Sequence, residues 1–323
     1  MFLEITLPLV NVVLFSYKDG GFYKKFQIFG FDFKIKKEVT DAEYCDALEK
    51  WYEDNTGEVL KLEKPQTINE KIQWLKLYDS NKLKMQLSDK IAARSYIAET
   101  IGDEYLIPVA GIWEKPEDID FNTLPSQFVL KCNNSKYSGI KVKNINVVNR
   151  KSLYKKVVKW LSEDYSGNTP ECQYKGITPK VIVEEYIEDS RGDINEFKVL
   201  CFNGEPKYVY VDKHTQKAKT RDIYDLDWEL QPFTCEYKNS GIITPPPANM
   251  HRMLEVARKL SKNFYLVRVD FYNADQKLYI NGLNFAPNNG IAKFSPSDYS
   301  LVMGKMLTIP TDSNSAGTEK ICA

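Results

Sequence analysis

Asp270 and Asn284 are the pair whose types and spacing suggest chemistry first. They lie in Arg268-Val-Asp-Phe-Tyr272 and Leu278-Tyr-Ile-Asn-Gly-Leu-Asn284, two strand-like runs joined by the polar turn Asn273-Ala-Asp275-Gln276. An acid on one strand facing an amide on its neighbour offers oxygen ligands to a hard cation such as Mg²⁺. Period two puts residues 282 and 284 on one face and turns Asn281 away. Position 282 is glycine, so a single carboxylate serves the pair. Arg268 shares the face of Asp270 and either meets substrate charge or forms an ion pair with that acid. Asn281-Gly282 also fits a hairpin turn, a reading disfavoured because residues 273–276 already supply one.

Other charged residues stand out against apolar neighbours. Lys198 alternates with Phe197 and Val199, and an inward lysine on an apolar strand is costly unless paired, which points to a phosphate contact. Lys131 ends the run Phe128-Val-Leu-Lys. Arg221 closes a basic run and suits bidentate contact with phosphate. Glu184-Glu-Tyr-Ile187 ends another apolar run, where a solvated acidic turn is the plain alternative. Asp225-Leu-Asp227 matches the spacing that holds a metal–sugar nucleotide in glycosyltransferases, and equally fits an ordinary turn.

The elements that must position these groups follow from pattern. Phe22–Lys37 alternates apolar and polar residues, as half-buried strands do, and ends in a basic cluster. A membrane-surface role and a small hairpin packed on the main domain are its two readings. Helices are expected over Asp41–Asp54, from Thr67 with the capping box Thr67-Ile-Asn-Glu70, and from Ser88 to a left-handed cap at Gly102. The pattern then turns to strands at Leu106–Ala110, Gln127–Cys132, Gly139–Lys143 and Lys180–Glu184, with a helix over Ser152–Asp164. Asn203-Gly204 predicts a tight hairpin between Glu196–Phe202 and Lys207–Asp212. A further helix carries Met253, Leu254, Ala257 and Leu260. Strands and helices mix without strict βαβ alternation, which predicts an α+β architecture.

Composition sets the outer limits. The chain has 323 residues, 43% hydrophobic and 27% charged, with 44 basic and 44 acidic residues, so global charge selects no polyanionic partner. Its distribution is uneven: Lys131–Trp160 holds nine Lys or Arg and no acid, and Lys213–Arg221 four more. Such local potential suits phosphate or an acidic saccharide. No nucleic-acid-binding module or stacking platform is present. Six scattered cysteines read as buried reduced thiols, and two histidines argue against a His-rich zinc site. The first fifteen residues are interrupted by Glu4 and Asn11 and lack a basic lead, which reads as a cytoplasmic chain without a signal peptide.

Several segments in order resemble the TupA-like (teichuronopeptide-biosynthesis) branch of the ATP-grasp superfamily. They are Pro65–Asp79, Phe128–Asn133, Val183–Ile187, Lys198–Lys207, Tyr224–Trp228 and Val267–Tyr272. The resemblance covers about residues 60 to 307. It implies an ATP-grasp-type fold with the nucleotide site between two α+β subdomains and a hinge near 184–187, preceded by an N-terminal extension over 1–60 and followed by a disordered tail over 308–323. It implies an ATP-dependent carboxylate–amine ligase acting through an acyl phosphate in cell-surface polysaccharide biosynthesis. ATP and Mg²⁺ are the implied cofactors, with a small-molecule or acidic polysaccharide substrate, an amino-acid donor and peripheral association with membrane biosynthetic machinery.

By the same resemblance Lys131, Lys136, Glu184, Glu185, Ile187 and Lys198 hold the nucleotide. Asp270 and Asn284 hold the metal, and Arg221 and Arg268 serve catalysis. The pattern departs from the family at two places. The loop Asn134–Gly139 keeps one glycine where the family has a glycine-rich run, and Gly282 stands where a metal-binding Glu is expected. Both departures motivate an alternative, a degenerate accessory protein that binds without turnover.

Overall fold

Two antiparallel sheets wall one cleft, and each presents a charged face to it. In the computed structural model the chain begins with β1 (Leu3–Leu7), β2 (Val12–Asp19), β3 (Tyr23–Ile28) and β4 (Phe31–Lys36). Helices α1 (Tyr44–Thr56), α2 (Ile68–Tyr78), α3 (Lys82–Leu87) and α4 (Lys90–Ile101) come next, then β5 (Val109–Trp113), β6 (Phe128–Cys132), β7 (Gly139–Val142) and α5 (Arg150–Ser162). The strands β8 (Val181–Glu185), β9 (Glu196–Phe202), β10 (Glu205–His214), β11 (Lys219–Tyr224) and β12 (Thr234–Cys235) precede α6 (Met250–Ser261). The last elements are β13 (Leu266–Ala274), β14 (Lys277–Asn284), β15 (Phe294–Ser295) and α7 (Tyr299–Met306). The structure describes residues 3–7, 12–28, 31–37, 39–79, 81–135, 138–162, 170–190, 194–214 and 219–310. Lys136 and the tail from 311 onward lie outside them.

The larger sheet runs β11-β10-β9-β13-β14 and the smaller β5-β8-β6-β7. This is the expected α+β arrangement. On one face of the larger sheet Phe197, Val199, Val211, Val267 and Val269 are buried against α4 and α6. The opposite face is split along the strands. At one end Leu200, Phe202, Tyr208, Tyr210, Ile223 and Leu266 pack on α2 and α7. Toward the other end the same face carries Lys198, Asp212, Arg221, Arg268 and Asp270, as the pairings Lys198↔Asp270, Asp212↔Arg221 and Asp270↔Gly282 require. The apolar half anchors the sheet and the charged half floors the cleft.

Local chemistry accounts for the connections. Asn203 and Gly204 both have positive φ (50° and 82°), the geometry a tight hairpin needs. Asp275 and Gln276 repeat it (48° and 67°) between β13 and β14. Thr67 and Glu70 form the predicted capping box on α2. The ends of this region are bound together: Lys71 Nζ donates to the carbonyls of Gly304 (2.7 Å) and Leu307 (2.6 Å). Only glycine fits at 304, because a Cβ there would stand 2.0 Å from the Gln66 carbonyl oxygen.

Several expectations are corrected. The helix from the 88–102 region starts after an Asp89 cap, whose side chain accepts from Ile91 N, and Gly102 (φ 108°, ψ 152°) is not left-handed. The strand expected at 106–110 is β5, at 109–113. The helices α3 and α7 and the strand β11 are additional to the elements that the sequence pattern predicts. β1–β4 form a four-stranded meander, tied to α1 by Phe22 and by Asp54, which accepts from Tyr23 Oη at 2.6 Å and Lys25 Nζ at 2.5 Å. Its last strand is exposed on both faces, not half-buried: Phe31 is 70% accessible and Ile35 57%. Cys132, Cys201 and Cys235 are buried free thiols as expected, whereas Cys172 is disulfide-bonded. Among the described residues no helix is long and apolar enough to cross a membrane.

Candidate functional site

A cavity of about 390 Å³ lies between the two sheets. Lys90, Arg94, Lys131, Lys198, Lys219, Arg221 and Arg268 line it, against three carboxylates, Glu184, Glu236 and Asp270. Asp212 and Glu196 also pair with lining cations from behind the wall, which leaves five carboxylates against seven cations, and the remaining positive charge facing a partly enclosed space favours a polyanion. One side of the cavity is apolar, with Ala93, Ile97, Leu106 and Ile280.

The smaller sheet supplies Lys131 and Glu184. The ladder pairs Val129 with Glu184 and Lys131 with Ile182, so both charges share the cleft face while Phe128, Leu130, Val181 and Val183 fill the opposite core. Lys131 Nζ donates to Glu184 Oε2 at 2.6 Å and to Asn281 Oδ1 at 2.9 Å. Asn281 therefore faces the cleft, contrary to the simple alternation. A bulge between Asp270 and Phe271 in the β13–β14 register breaks the period and swings it inward.

On the larger sheet a fully buried acid organises three cations. Asp212 accepts from Lys198 Nζ at 2.5 Å and from Arg221 Nε and Nη2 at 2.6 and 2.8 Å, with Lys219 Nζ at 3.4 Å. Lys198 also reaches Glu196 at 3.0 Å. Burial alone would raise the Asp212 pKa, but Arg221 and Lys198 hold it well below the carboxylate range. Asp212 thus fixes the orientation of its cations while leaving the cluster positive. Arg221 also lies over the rings of Tyr210 and Tyr237.

Asp212, Lys90, Arg94, Lys219 and Glu236 are not among the residues the sequence predicts for the site. Asp212 was legible only as the end of a strand. Lys90 and Arg94 stand one helical turn apart at the start of α4, and that i,i+4 spacing was the available signal. Arg94 meets Glu184 at 3.4 Å and donates to the Ile107 carbonyl at 2.8 Å. Lys90 Nζ donates to the carbonyls of Cys132 (2.9 Å) and Ser135, pinning α4 to the loop that follows β6. Burial pulls its pKa down to about 8, and the charge of Lys131 acts in the same direction. That loop is held internally by Ser138, whose hydroxyl accepts from Cys132 N at 2.9 Å.

Of the ten predicted site residues, Lys131, Glu184, Lys198, Arg221, Arg268, Asp270 and Asn284 converge on this cavity. Glu185 and Ile187 are not among its lining residues; Glu185 is exposed at the end of β8. Asp225 is spent on its own turn, accepting from Asp227 N and Glu229 N at 3.1 and 2.8 Å, and neither it nor Asp227 lines the cavity, which removes the support for a glycosyltransferase.

The TupA-like ATPgrasp family matches residues 70–308. The chain belongs to the TupA-like ATP-grasp family. No curated protein matches it. Among solved structures, this ATP-grasp chain is similar to a D-alanine–D-alanine ligase from Bacillus anthracis (17% identity, 72% of this chain and 63% of that one, TM-score 0.43). It is also similar to a RimK domain ATP-grasp protein from Sphaerobacter thermophilus (12% identity, 69% of each chain, TM-score 0.41). A third is N5-carboxyaminoimidazole ribonucleotide synthetase from Thermus thermophilus (12% identity, 67% and 51%, TM-score 0.38). The chain spans 63% of the length of the first and 51% of the last.

The family implies a nucleotide and a divalent metal, and the two fit differently here. The cation-lined cavity with its apolar wall fits a nucleoside triphosphate. The donor set does not fit a dedicated Mg²⁺ site. Both oxygens of Asp270 accept from Arg268, Nε at 2.6 Å and Nη2 at 2.7 Å. Asn284 Oδ1 accepts from Ala286 N at 3.0 Å, and residue 282 has no side chain. Among the described residues no group of three or more His, Cys, Asp or Glu could hold a metal ion.

Proposed function

We propose that the protein binds ATP in this cavity and acts as a carboxylate–amine ligase of cell-surface polysaccharide biosynthesis. The observation that carries the reading is the convergence of seven cations from α4, β6, β9, β11 and β13 on one cleft within the family-matched region. In such a reaction a substrate carboxylate oxygen bonds to the γ-phosphorus as the bond to the bridging oxygen breaks, releasing ADP. An amine then adds to the acyl phosphate, loses a proton and expels inorganic phosphate. Positioning and charge neutralisation dominate the first step. Lys131, Lys198, Lys219 and Arg221 are placed to orient the phosphates and neutralise developing charge, and the apolar wall suits the adenine ring. The basic cleft also suits an acidic saccharide acceptor, with an amino acid as amine donor and attachment to membrane-bound biosynthetic machinery through the exposed strand β4, which carries Lys34 and Lys36.

A second reading, binding without turnover, is favoured by one observation: Asp270 is paired with Arg268 and faces a glycine. Steady-state ADP release on adding ATP, an acidic saccharide and an amino acid supports the ligase. Saturable ATP binding with no ADP release across such acceptors supports the second reading, and absence of ATP binding overturns both.

A further inference from the structure

We infer that the cavity grips the phosphates of its nucleotide with the protein's own cations, so that binding does not require a divalent metal. The inference rests on the ATP-binding reading above and goes beyond it in naming how the charge is met.

Three observations converge. The first is the state of Asp270. Its two oxygens are both engaged by the Arg268 guanidinium in a bidentate fork, and that guanidinium is itself buried. Burial opposes the charge of Arg268, but Asp270 keeps its pKa above the usual guanidinium value, so the guanidinium stays charged. A metal ion entering here would have to displace a cation that cannot neutralise itself by losing a proton. The second is the strand opposite. Gly282 pairs directly with Asp270, and a Cβ at this position would meet nothing within 4 Å. The space that a second carboxylate would fill to balance a dication is open and carries no charge. The third is the surplus of protein cations. Lys198, Lys219 and Arg221 meet two carboxylates, Asp212 and, through Lys198, Glu196, and Lys131 stands across the cleft from them beside Glu184, which Arg94 also reaches, so both walls keep a net positive charge. Guanidinium and ammonium donors can meet phosphate oxygens directly through charge-assisted hydrogen bonds. The charge that a bound Mg²⁺ would bring is already built into the walls.

The test is calorimetric titration of the full chain with ATP in excess EDTA and in excess Mg²⁺. The expected result is dissociation constants within about threefold of each other in the two buffers. A loss of more than about tenfold in EDTA overturns the metal-free grip while leaving ATP binding intact. Absence of binding in both buffers overturns the nucleotide reading itself, and the inference with it. Gly282→Glu, which the open space accommodates, supplies a second arm. It is expected to weaken ATP binding in EDTA about tenfold or more and to regain affinity when Mg²⁺ is added. Binding by Gly282→Glu that is unchanged in EDTA would show that position 282 does not face the phosphates and would overturn the inference.

Discussion

Lys131 Nζ on β6 stands 2.9 Å from Asn281 Oδ1 on β14, a hydrogen bond that joins the two sheets across the cavity. The same ammonium is 2.6 Å from Glu184. Lys131 is therefore both a cation of the cleft and a tie between its walls.

Replacing Lys131 by Met should weaken ATP binding about 10- to 100-fold, the range for losing one charge-assisted hydrogen bond of about 1.5–3 kcal/mol. Asn281→Ala removes only the tie and should cost less than Lys131→Met. Calorimetric titration of the two variants checks the order.

Lys90 predicts a pH dependence. Burial lowers its pKa from 10.5 to about 8, so the unfolded chain binds more protons between these values. The charge of Lys90 thus opposes folding below about pH 8, and that penalty is relieved as pH rises toward 10.5. ATP favours the charged form, so affinity should fall as pH rises through 8 and binding near pH 8 should take up a proton. Titration in buffers of different ionisation enthalpy measures that uptake, and Lys90→Met should abolish it.

Asp212→Ala leaves Lys198 and Arg221 buried without their shared partner. Breaking a buried pair in this way costs about 3–5 kcal/mol, which for a region of this size lowers Tm by roughly 10 °C. Added tripolyphosphate should recover more of the lost Tm in the variant than it adds to the unaltered protein, because it restores the missing negative charge. Thermal melts with and without the polyanion decide this.

Asp54 predicts how the N-terminal meander detaches. Burial would raise its pKa, but Lys18, Lys25 and Tyr23 lower it from 3.8 to about 2. Its contribution is complete above pH 3.8 and is lost as pH falls toward 2. Amide-exchange protection of Tyr23–Ile28 should drop over that interval, and Asp54→Asn should produce the drop at neutral pH.

The chain discloses its local devices better than its long-range partners. The capping box at Thr67, the Asn203-Gly204 turn and the runs that became β6, β8, β9, β13 and β14 depend on neighbours in sequence, and all are present. Lys198 was legible as a costly inward charge, because an apolar strand made it conspicuous. Its partner was not, because Asp212 lies on another strand and nothing local marks it as buried. Asn281 departs from its predicted face for a related reason: alternation holds only while the register does, and one bulge reverses it. The failure of Gly282 to provide a ligand was visible in the residue type itself. The capture of Asp270 by Arg268 needed the structure to decide between pairing and catalysis.

The clasp between α2 and α7 bears on when this protein can acquire its structure. Lys71 grips the carbonyls of Gly304 and Leu307, and Met303 and Leu307 complete the apolar cluster beneath Ile68, Ile72 and Leu75. On the ribosome, residues near position 70 emerge long before those near 307. The apolar end of the larger sheet stays uncovered during that interval, a stage in which exposed strands invite aggregation or a chaperone. The cationic cleft, floored by the other half of that sheet, reaches its final geometry only once this last helix has been synthesised and has docked.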